Sequence, residues 1–184
     1  MQRKWMCLLC SSVLLLSGCQ LTPHAQGLKS SQWQAQQYQR QDQVEVQWKD
    51  KSFSFLLYQQ QEGQQLNLVG LSLTGQSLFQ LQFDGQQLKV IQRIEQMRLL
   101  PFEFVVRDIL FATYPNFSQL GQQAVQVENS GNQQSISIAQ QAVLQIKHEA
   151  NMIEVDNIQV PYRMTLSPME NTLKAKKDDQ KVQP

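Results

Sequence analysis

The chain has 184 residues, a formal net charge of +1 and 17% charged side chains, enough for one domain but not comfortably for two. Arg3 and Lys4 fall in a segment that we expect to be removed, and the mature chain is then close to neutral. A chain without excess charge lacks the basic surface that nucleic-acid binding requires. We therefore expect no nucleic-acid partner.

The N-terminus has the three parts of a bacterial export signal. A basic start (Arg3, Lys4) precedes an apolar run over residues 6–16 and two small residues before Cys19. That run is about half of the ~20 residues that a transmembrane helix needs. The pattern predicts a signal peptide over residues 1–18.

The residues around Cys19, Leu-Ser-Gly-Cys, resemble the lipobox of bacterial lipoproteins. The resemblance implies cleavage before Cys19 and its acylation with palmitate-type chains, each buried methylene adding ~0.8 kcal/mol to membrane anchoring. Lipoproteins that stay in the inner membrane usually carry Asp directly after the acylated Cys, whereas this chain has Gln20 at that position. By resemblance, the protein is sorted to the outer membrane and faces the periplasm.

Composition divides the mature chain into three parts. Residues 19–43 are polar and predict a lipidated N-terminus with a tether, with a short helix near Trp33 to Arg40 as an option. Residues 44–168 carry the folded domain. Residues 169–184, rich in Lys, Asp and Gln, have little to bury and predict a disordered tail.

The folded domain is dominated by apolar residues that alternate with polar ones, the pattern of half-buried strands. Short turns join these strands too closely for parallel crossovers, so the sheet is predicted to be antiparallel. The alternating apolar positions include Val44, Val46, Trp48, Leu88, Val90, Val125, Val127, Ile136, Ile138, Leu144, Ile146, Ile153, Val155, Tyr162, Met164 and Leu166.

Two local signals refine the predicted strands. Asp84-Gly85 is typical of a type I′ hairpin turn, in which both central residues need positive φ. The apolar phase flips near Val69 and Gly70, which predicts a bulge or kink that curls the sheet.

The period changes from two to 3.6 over residues 101–110, which predicts an amphipathic helix with Pro101 in its first turn. Glu103 and Arg107 are spaced to pair on another face of that helix, and Tyr114 ends it. The sequence therefore predicts a mainly β fold with one or two helices. A curved, half-open antiparallel sheet covered by a helix is the expected architecture, and the pattern leaves open whether its interior is filled or hollow.

Catalytic chemistry has little support in the sequence. His24 and His148 are the two histidines, too few for a three-histidine zinc site, and no nucleophile elbow precedes His148. Glu154 and Asp156 share one face of a strand and most simply mark its solvated end. We expect no enzyme, no metal and no cofactor.

Residues 66–85 resemble the pattern G-L-x-x-x-G-Q-x-L-F-x-L-x-Y-D-G of an uncharacterised bacterial lipoprotein family associated with aryl polyene clusters, with Phe83 in place of Tyr. That family is similar in layout to LolB, the outer-membrane receptor for lipoproteins. The resemblance implies an apolar cavity for acyl chains and a membrane-inserting loop, for which Leu78 is the candidate. The cavity candidates are Phe53, Phe55, Leu57, Phe79, Leu81, Phe83, Val105, Val106 and Ile109.

The sequence and the resemblance together favour a non-enzymatic outer-membrane lipoprotein that binds or passes on acyl chains. Its expected partners are the membrane through acylated Cys19, a lipid or acyl-chain cargo, and a periplasmic LolA-like carrier. The alternative is a structural or assembly lipoprotein with a solid core that binds protein partners through a sheet edge.

Overall fold

The computed structural model describes residues 24–122 and 124–169. The predicted signal peptide, the acylation site Cys19 and the tail from residue 170 onward lie outside the described residues. The described part contains one helix, α1 (Phe102–Thr113), and two 3₁₀ helices, Glu95–Leu99 and Phe117–Gln119. Its strands are β1 (Gln39–Trp48), β2 (Lys51–Glu62), β3 (Gln65–Leu71), β4 (Ser77–Phe83), β5 (Leu88–Arg93), β6 (Val125–Ser130), β7 (Gln133–Ile138), β8 (Gln141–His148), β9 (Ile153–Asn157) and β10 (Tyr162–Pro168).

All ten strands form one antiparallel sheet in the order β5-β4-β3-β2-β1-β10-β9-β8-β7-β6. The first and last strands are neighbours at its centre, where Val44 lies opposite Leu166 and Val46 opposite Met164. Strands β5 and β6 are the two edges and are not paired with each other. The sheet is therefore curved but unclosed, which confirms the predicted half-open barrel with a covering helix.

The alternation of apolar residues sets which face of the sheet is buried. On β1 and β2, for example, Val44, Val46, Phe55 and Leu57 are at most 1% exposed, whereas their polar neighbours face outward. Both halves of the sheet contribute to one apolar cluster with α1. Ten of the twelve residues of α1 are buried, so the helix is enclosed on most of its faces.

The predicted irregularity at Gly70 is confirmed. The register of β3 against β4 shifts between Gly70 and Leu71, which is a β-bulge. The ring of Phe79 lies over Gly70, and a Cβ there would be 2.3 Å from Phe79 Cε1. Val69 and Leu71 lie on the outer face of β3 and are partly exposed, and Leu73 beyond the strand is 61% exposed.

The turn between β4 and β5 differs from the type I′ prediction. Phe83 pairs with Leu88, so four residues make the connection, and only Gly85 among them has positive φ, at +89°. Asp84 Oδ1 instead accepts the backbone N–H groups of Gln86 (2.8 Å) and Gln87 (2.7 Å). The aspartate closes an Asx turn, which the two-residue signal does not distinguish from a hairpin turn.

Helix α1 confirms the predicted start after Pro101, and it ends before Tyr114 as expected. The predicted Glu103–Arg107 pair is wrong. Arg107 is fully buried and binds Asp108, while Glu103 binds His24. The spacing rule assumes a solvent-exposed face, but this face of α1 is covered by the N-terminal segment.

That N-terminal segment is packed rather than a free polar tether. From His24 onward the chain lies against the domain, with Ala25, Leu28 and Tyr38 buried. It contains no helix within the described residues, and β1 already begins at Gln39, before the predicted domain boundary at residue 44. Residues 24–33 are called the strap below. Their few apolar side chains lack a period, so the sequence pattern did not reveal their packing.

Candidate functional site

The predicted cavity residues come together in space. Eight of the nine are at most 3% exposed and belong to one apolar cluster, while Phe53 is half-buried and packs against it. Phe79 contacts Phe55 edge-to-face at 5.2 Å between ring centroids and Phe102 at 5.0 Å.

These side chains fill the space between helix and sheet. A side chain with almost no accessible surface borders no space large enough for a water molecule. The hollow interior that the resemblance implied is therefore not present at the predicted residues, because their own aromatic and branched side chains occupy it.

The strap crosses from one part of the barrel opening to the other. The backbone N–H of Ser30 donates to the carbonyl of Gly85 at 2.7 Å, on the loop between β4 and β5. The Nε2 amide of Gln86 donates to the carbonyl of Ser30 at 2.5 Å. On the opposite side, the N–H of Gln32 donates to the carbonyl of Leu120 at 3.1 Å. Side-chain and backbone hydrogen bonds thus hold the strap across the opening.

Trp33 fixes the end of the strap. Its ring stacks on Tyr114 at 4.9 Å and meets Phe83 edge-on at 5.0 Å, while its Nε1–H donates to the carbonyl of Gln64 at 2.8 Å. A Cβ at Gly85 would lie 2.3 Å from Trp33 Cβ, so the tryptophan packs directly on this glycine. Burial raises the pKa of Tyr114 to about 12.

A cleft of about 890 Å³ lies beneath the strap. Its walls come from the strap itself, the loop between β4 and β5, Glu103 in the first turn of α1, and Ile138 at the end of β7. None of the nine predicted cavity residues lines it. The volume is within the range of ligand sites, roughly 300–1,000 Å³, and its lining combines polar and apolar side chains.

A hydrogen bond joins the strap and α1 at the edge of the cleft. His24 Nδ1 lies 3.0 Å from Glu103 Oε2, and the same carboxylate oxygen accepts the backbone N–H of Ala25 at 3.1 Å. Both side chains are partly exposed, so the contact is worth little on its own. It nevertheless ties the first described residues to the helix start.

A buried ionic cluster lies behind the cleft. Arg107 Nε donates to Asp108 Oδ1 at 2.8 Å, and Asn157 Nδ2 donates to Asp108 Oδ2 at 2.6 Å. The hydroxyl of Tyr162 also donates to Asp108 Oδ2. Burial raises the pKa of Asp108 against the opposing effects of Arg107 and these hydrogen bonds, and burial likewise raises that of Tyr162.

The sequence reasoning missed this cluster. Its only local signal is the charged pair Arg107-Asp108 inside an apolar helical stretch. Two of its other members, Asn157 and Tyr162, are about 50 residues away in sequence, so only the folded sheet brings them together.

The membrane-loop candidate is also revised. Leu78 is only 9% exposed, and its carbonyl accepts the backbone N–H of Ile94 at 2.9 Å, so its side chain belongs to the core. Leu73, at the other end of the same hairpin connection, is the outward-facing leucine. The bulge explains why Leu78 is buried: Gly70 pairs with Phe79 and Leu71 with Ser77, so Leu78 is the extra residue, and Leu78 and Phe79 both face the core.

The remaining chemical candidates stay apart from the cleft. His148 is exposed at the end of β8, and Glu154 and Asp156 are exposed on β9. Over the described residues there is no group of three or more His, Cys, Asp or Glu side chains arranged to hold a metal ion. In that same part of the chain, no helix has the length and apolar character needed to span a bilayer.

The comparison with known families gives one finding. The sequence model of a family described as a protein of unknown function, DUF3261, matches residues 39–170. No curated protein matches the chain. The match covers all ten strands and α1 and leaves out the strap. Since it spans well over half of the sequence, the chain belongs to the DUF3261 family.

Proposed function

We propose that this protein is a non-enzymatic outer-membrane lipoprotein, anchored through acylated Cys19 and facing the periplasm, that binds acyl chains and passes them on. The observation that carries the proposal is the strap. It closes the open side of an apolar half-barrel, and it begins five residues after Cys19 in the sequence.

The anchor would hold the cleft close to the membrane. Five residues span at most roughly 18 Å when fully extended, so His24 cannot lie farther than that from Cys19. His24 itself lines the cleft and contacts Glu103. An acyl chain that leaves the bilayer near the anchor therefore has a short path to the barrel opening.

Two exposed leucines are candidates for contact with the bilayer. Leu73, 61% exposed, lies in the connection between β3 and β4, and Leu99, 46% exposed, belongs to the 3₁₀ helix just before α1. Exposed apolar side chains of this kind are suited to enter the bilayer surface.

Cargo binding requires the barrel to open, because its interior is filled in this conformation. Each hydrogen bond of the strap contributes only about 0.5–1.5 kcal/mol, since water replaces the lost partner. An acyl chain that contacts the aromatic core gains about 25 cal/mol for each Å² of apolar surface that it buries. Displacement of the strap by cargo is therefore energetically feasible, and a weak closure also suits a carrier that must release its cargo.

The resemblance of residues 66–85 suggests which molecules take part. An aryl-polyene-type lipid or the acyl chains of a lipoprotein would be the cargo, and a periplasmic LolA-like protein would be the partner that delivers or receives it. These assignments of cargo and partner come from the sequence resemblance and presuppose the proposed function.

A fluorescent fatty acid titrated into the mature chain, carrying Cys19→Ser to prevent acylation, tests the proposal. We expect saturable binding at micromolar concentrations. Ser30→Ala together with Gln86→Ala removes two side-chain hydrogen bonds that hold the strap, from the Ser30 hydroxyl to the carbonyl of Leu120 and from Gln86 to the carbonyl of Ser30. This double variant should bind more strongly, whereas Gln126→Ala on the exposed edge strand β6 is the matched control. Absence of binding to all three proteins would refute the proposal.

The filled interior favours a second candidate function. A structural or assembly lipoprotein needs no cavity, and the edge strand β5 presents the partly exposed apolar residues Val90 and Ile91. A protein partner could add a strand there. If no lipid binds, and an Ile91→Lys variant stays folded but no longer forms a complex with a protein partner in cells, the structural or assembly function replaces the acyl-chain function.

A further inference from the structure

The guanidinium of Arg107 is only partly satisfied. It is 0% exposed, and its Nη1 group donates to the carbonyl of Gln26 and to Gln159 Oε1, both at 3.1 Å. Its Nε–H donates to Asp108, but Nη2 is buried with no hydrogen-bond partner among the described residues. A buried charged donor without a partner is costly, so such a group calls for a physical explanation.

Asp108 does not form the two-pronged contact that arginine and carboxylate groups commonly make. Its Oδ1 takes only the Nε–H of Arg107, and its Oδ2 is occupied by Asn157 and Tyr162. The aspartate is held by other partners, and the outer nitrogens of the guanidinium remain for other acceptors.

The guanidinium contacts a residue of the cleft lining. The carbonyl that Nη1 binds belongs to Gln26, a strap residue that lines the cleft. Glu103 also lines the cleft, and Arg107 is four residues further along α1, so the two side chains occupy neighbouring positions of one helix face. A shift of the strap at Gln26 would therefore expose the guanidinium on the side of the cleft.

We propose that the cleft binds the oxyanion head, carboxylate or phosphate, of an anionic amphiphile, and that Arg107 recognises this head when the strap is displaced. Loss of the Gln26 contact frees one N–H of Nη1, while the other still donates to Gln159. This N–H and the unpartnered Nη2 then offer the planar pair of donors that suits an oxyanion. The inference rests on the proposed function and narrows its cargo to amphiphiles with a charged head.

The walls of the cleft outside the strap are compatible with such a ligand. Ile138 lines it and belongs to the apolar core cluster, so it connects the cleft with the barrel interior. The carboxylate of Glu103 is already engaged by His24 and the Ala25 N–H, which lessens its repulsion of an anion.

Calorimetric titration of the mature chain with Cys19→Ser at pH 8 tests the inference with oleate, oleyl phosphate and oleyl alcohol. We expect the two anions to bind roughly 10- to 100-fold more tightly than the alcohol, since a hydrogen bond to a charged group carries about that factor. Equal affinities for anions and alcohol would overturn the inference and leave the proposed function standing. No binding of any of the three would refute the proposed function itself.

A pair of variants identifies the group responsible. Arg107→Gln with Asp108→Asn removes the buried pair without leaving a lone charge, and it should abolish the preference for anions while the alcohol still binds. Arg40→Gln with Asp42→Asn removes a partly buried Arg–Asp pair on β1 and should keep the preference. Persistence of the preference in the Arg107 variant would overturn the inference even if its stability is reduced.

Inorganic phosphate separates two sources of the same chemistry. We expect it to bind no more than weakly, because it lacks the apolar tail. Tight phosphate binding that depends on Arg107 would indicate a site for free anions and would overturn the assignment to amphiphiles.

Discussion

Ser30 and Gly85 are joined by a 2.7 Å hydrogen bond from backbone N–H to carbonyl, although 55 positions of sequence separate them. This contact links the strap to the loop between β4 and β5. Gln32, two residues further along the strap, donates in the same way to Leu120 on the other side of the opening, so this part of the strap is held from both sides. The open side of the barrel is thus closed by the chain's own N-terminal segment.

Replacement of Gly85 by Ala should loosen this closure. The added Cβ would meet Trp33 at 2.3 Å, and the φ of +89° is unfavourable for alanine. Gly75→Ala is the matched control, with φ of +86° and no atom within 4 Å of the added Cβ. Backbone strain alone costs about 1–2 kcal/mol, and we expect Gly85→Ala to lose about 1–3 kcal/mol more by urea unfolding. Equal losses for both variants would show that Trp33 does not pack on Gly85.

The bulge at Gly70 gives a second prediction. Gly70→Ala should destabilise the fold by about 1–3 kcal/mol, because the new Cβ would lie 2.3 Å from the ring of Phe79. Phe79→Leu removes the ring and should recover part of that loss in the double variant. Additive effects of the two substitutions in a double-mutant cycle would contradict the contact.

The strands and the helix could be predicted because their signals are local. Alternation along β1 and β2, the helical period after Pro101 and the phase flip at Gly70 each depend on residues close in sequence. The turn at Asp84 shows the limit of such signals, since Asp-Gly fits both an Asx turn and a type I′ turn. The hydrogen bonds around it decide between them.

The strap, the cleft and the filled interior could not be predicted in the same way. Backbone hydrogen bonds hold Ser30 and Gln32, and these leave no pattern in side-chain type. Alternation shows which face Phe55 and Phe79 occupy but not whether their rings meet. The spacing of Glu103 and Arg107 predicts an exposed Arg107, because the strap that covers it is polar and distant in sequence.

Asp84 should make stability sensitive to acid. The backbone N–H groups of Gln87 and Gln86 lower the pKa of its carboxyl below the ordinary 3.8. A group whose pKa is lower in the folded state stabilises the protein above its unfolded pKa and loses that contribution as the pH falls through the folded value. Asp84→Asn keeps an acceptor oxygen but does not titrate. We expect the unaltered protein to lose stability relative to this variant below about pH 4, and parallel pH profiles would contradict the Asx turn.

The two leucines of the hairpin between β3 and β4 should behave differently. Leu73→Ser should leave the unfolding free energy nearly unchanged and weaken binding of the unacylated chain to phospholipid vesicles. Leu78→Ala should destabilise the fold by about 2–5 kcal/mol, because its side chain is buried. Vesicle flotation and urea unfolding measure the two properties. Unchanged flotation of the Leu73 variant would remove that residue from the proposed membrane contact.

Amide hydrogen exchange tests the central claim, that cargo enters by displacing the strap, most directly. The N–H groups of Ser30 and Gln32 are bonded to Gly85 and Leu120, whereas that of Val46 lies in the central strand and serves as the control. Saturating oleate should accelerate exchange at Ser30 and Gln32 and leave Val46 unchanged. If oleate binds while exchange at the two strap amides stays the same or slows, the strap is not the gate and the account is contradicted.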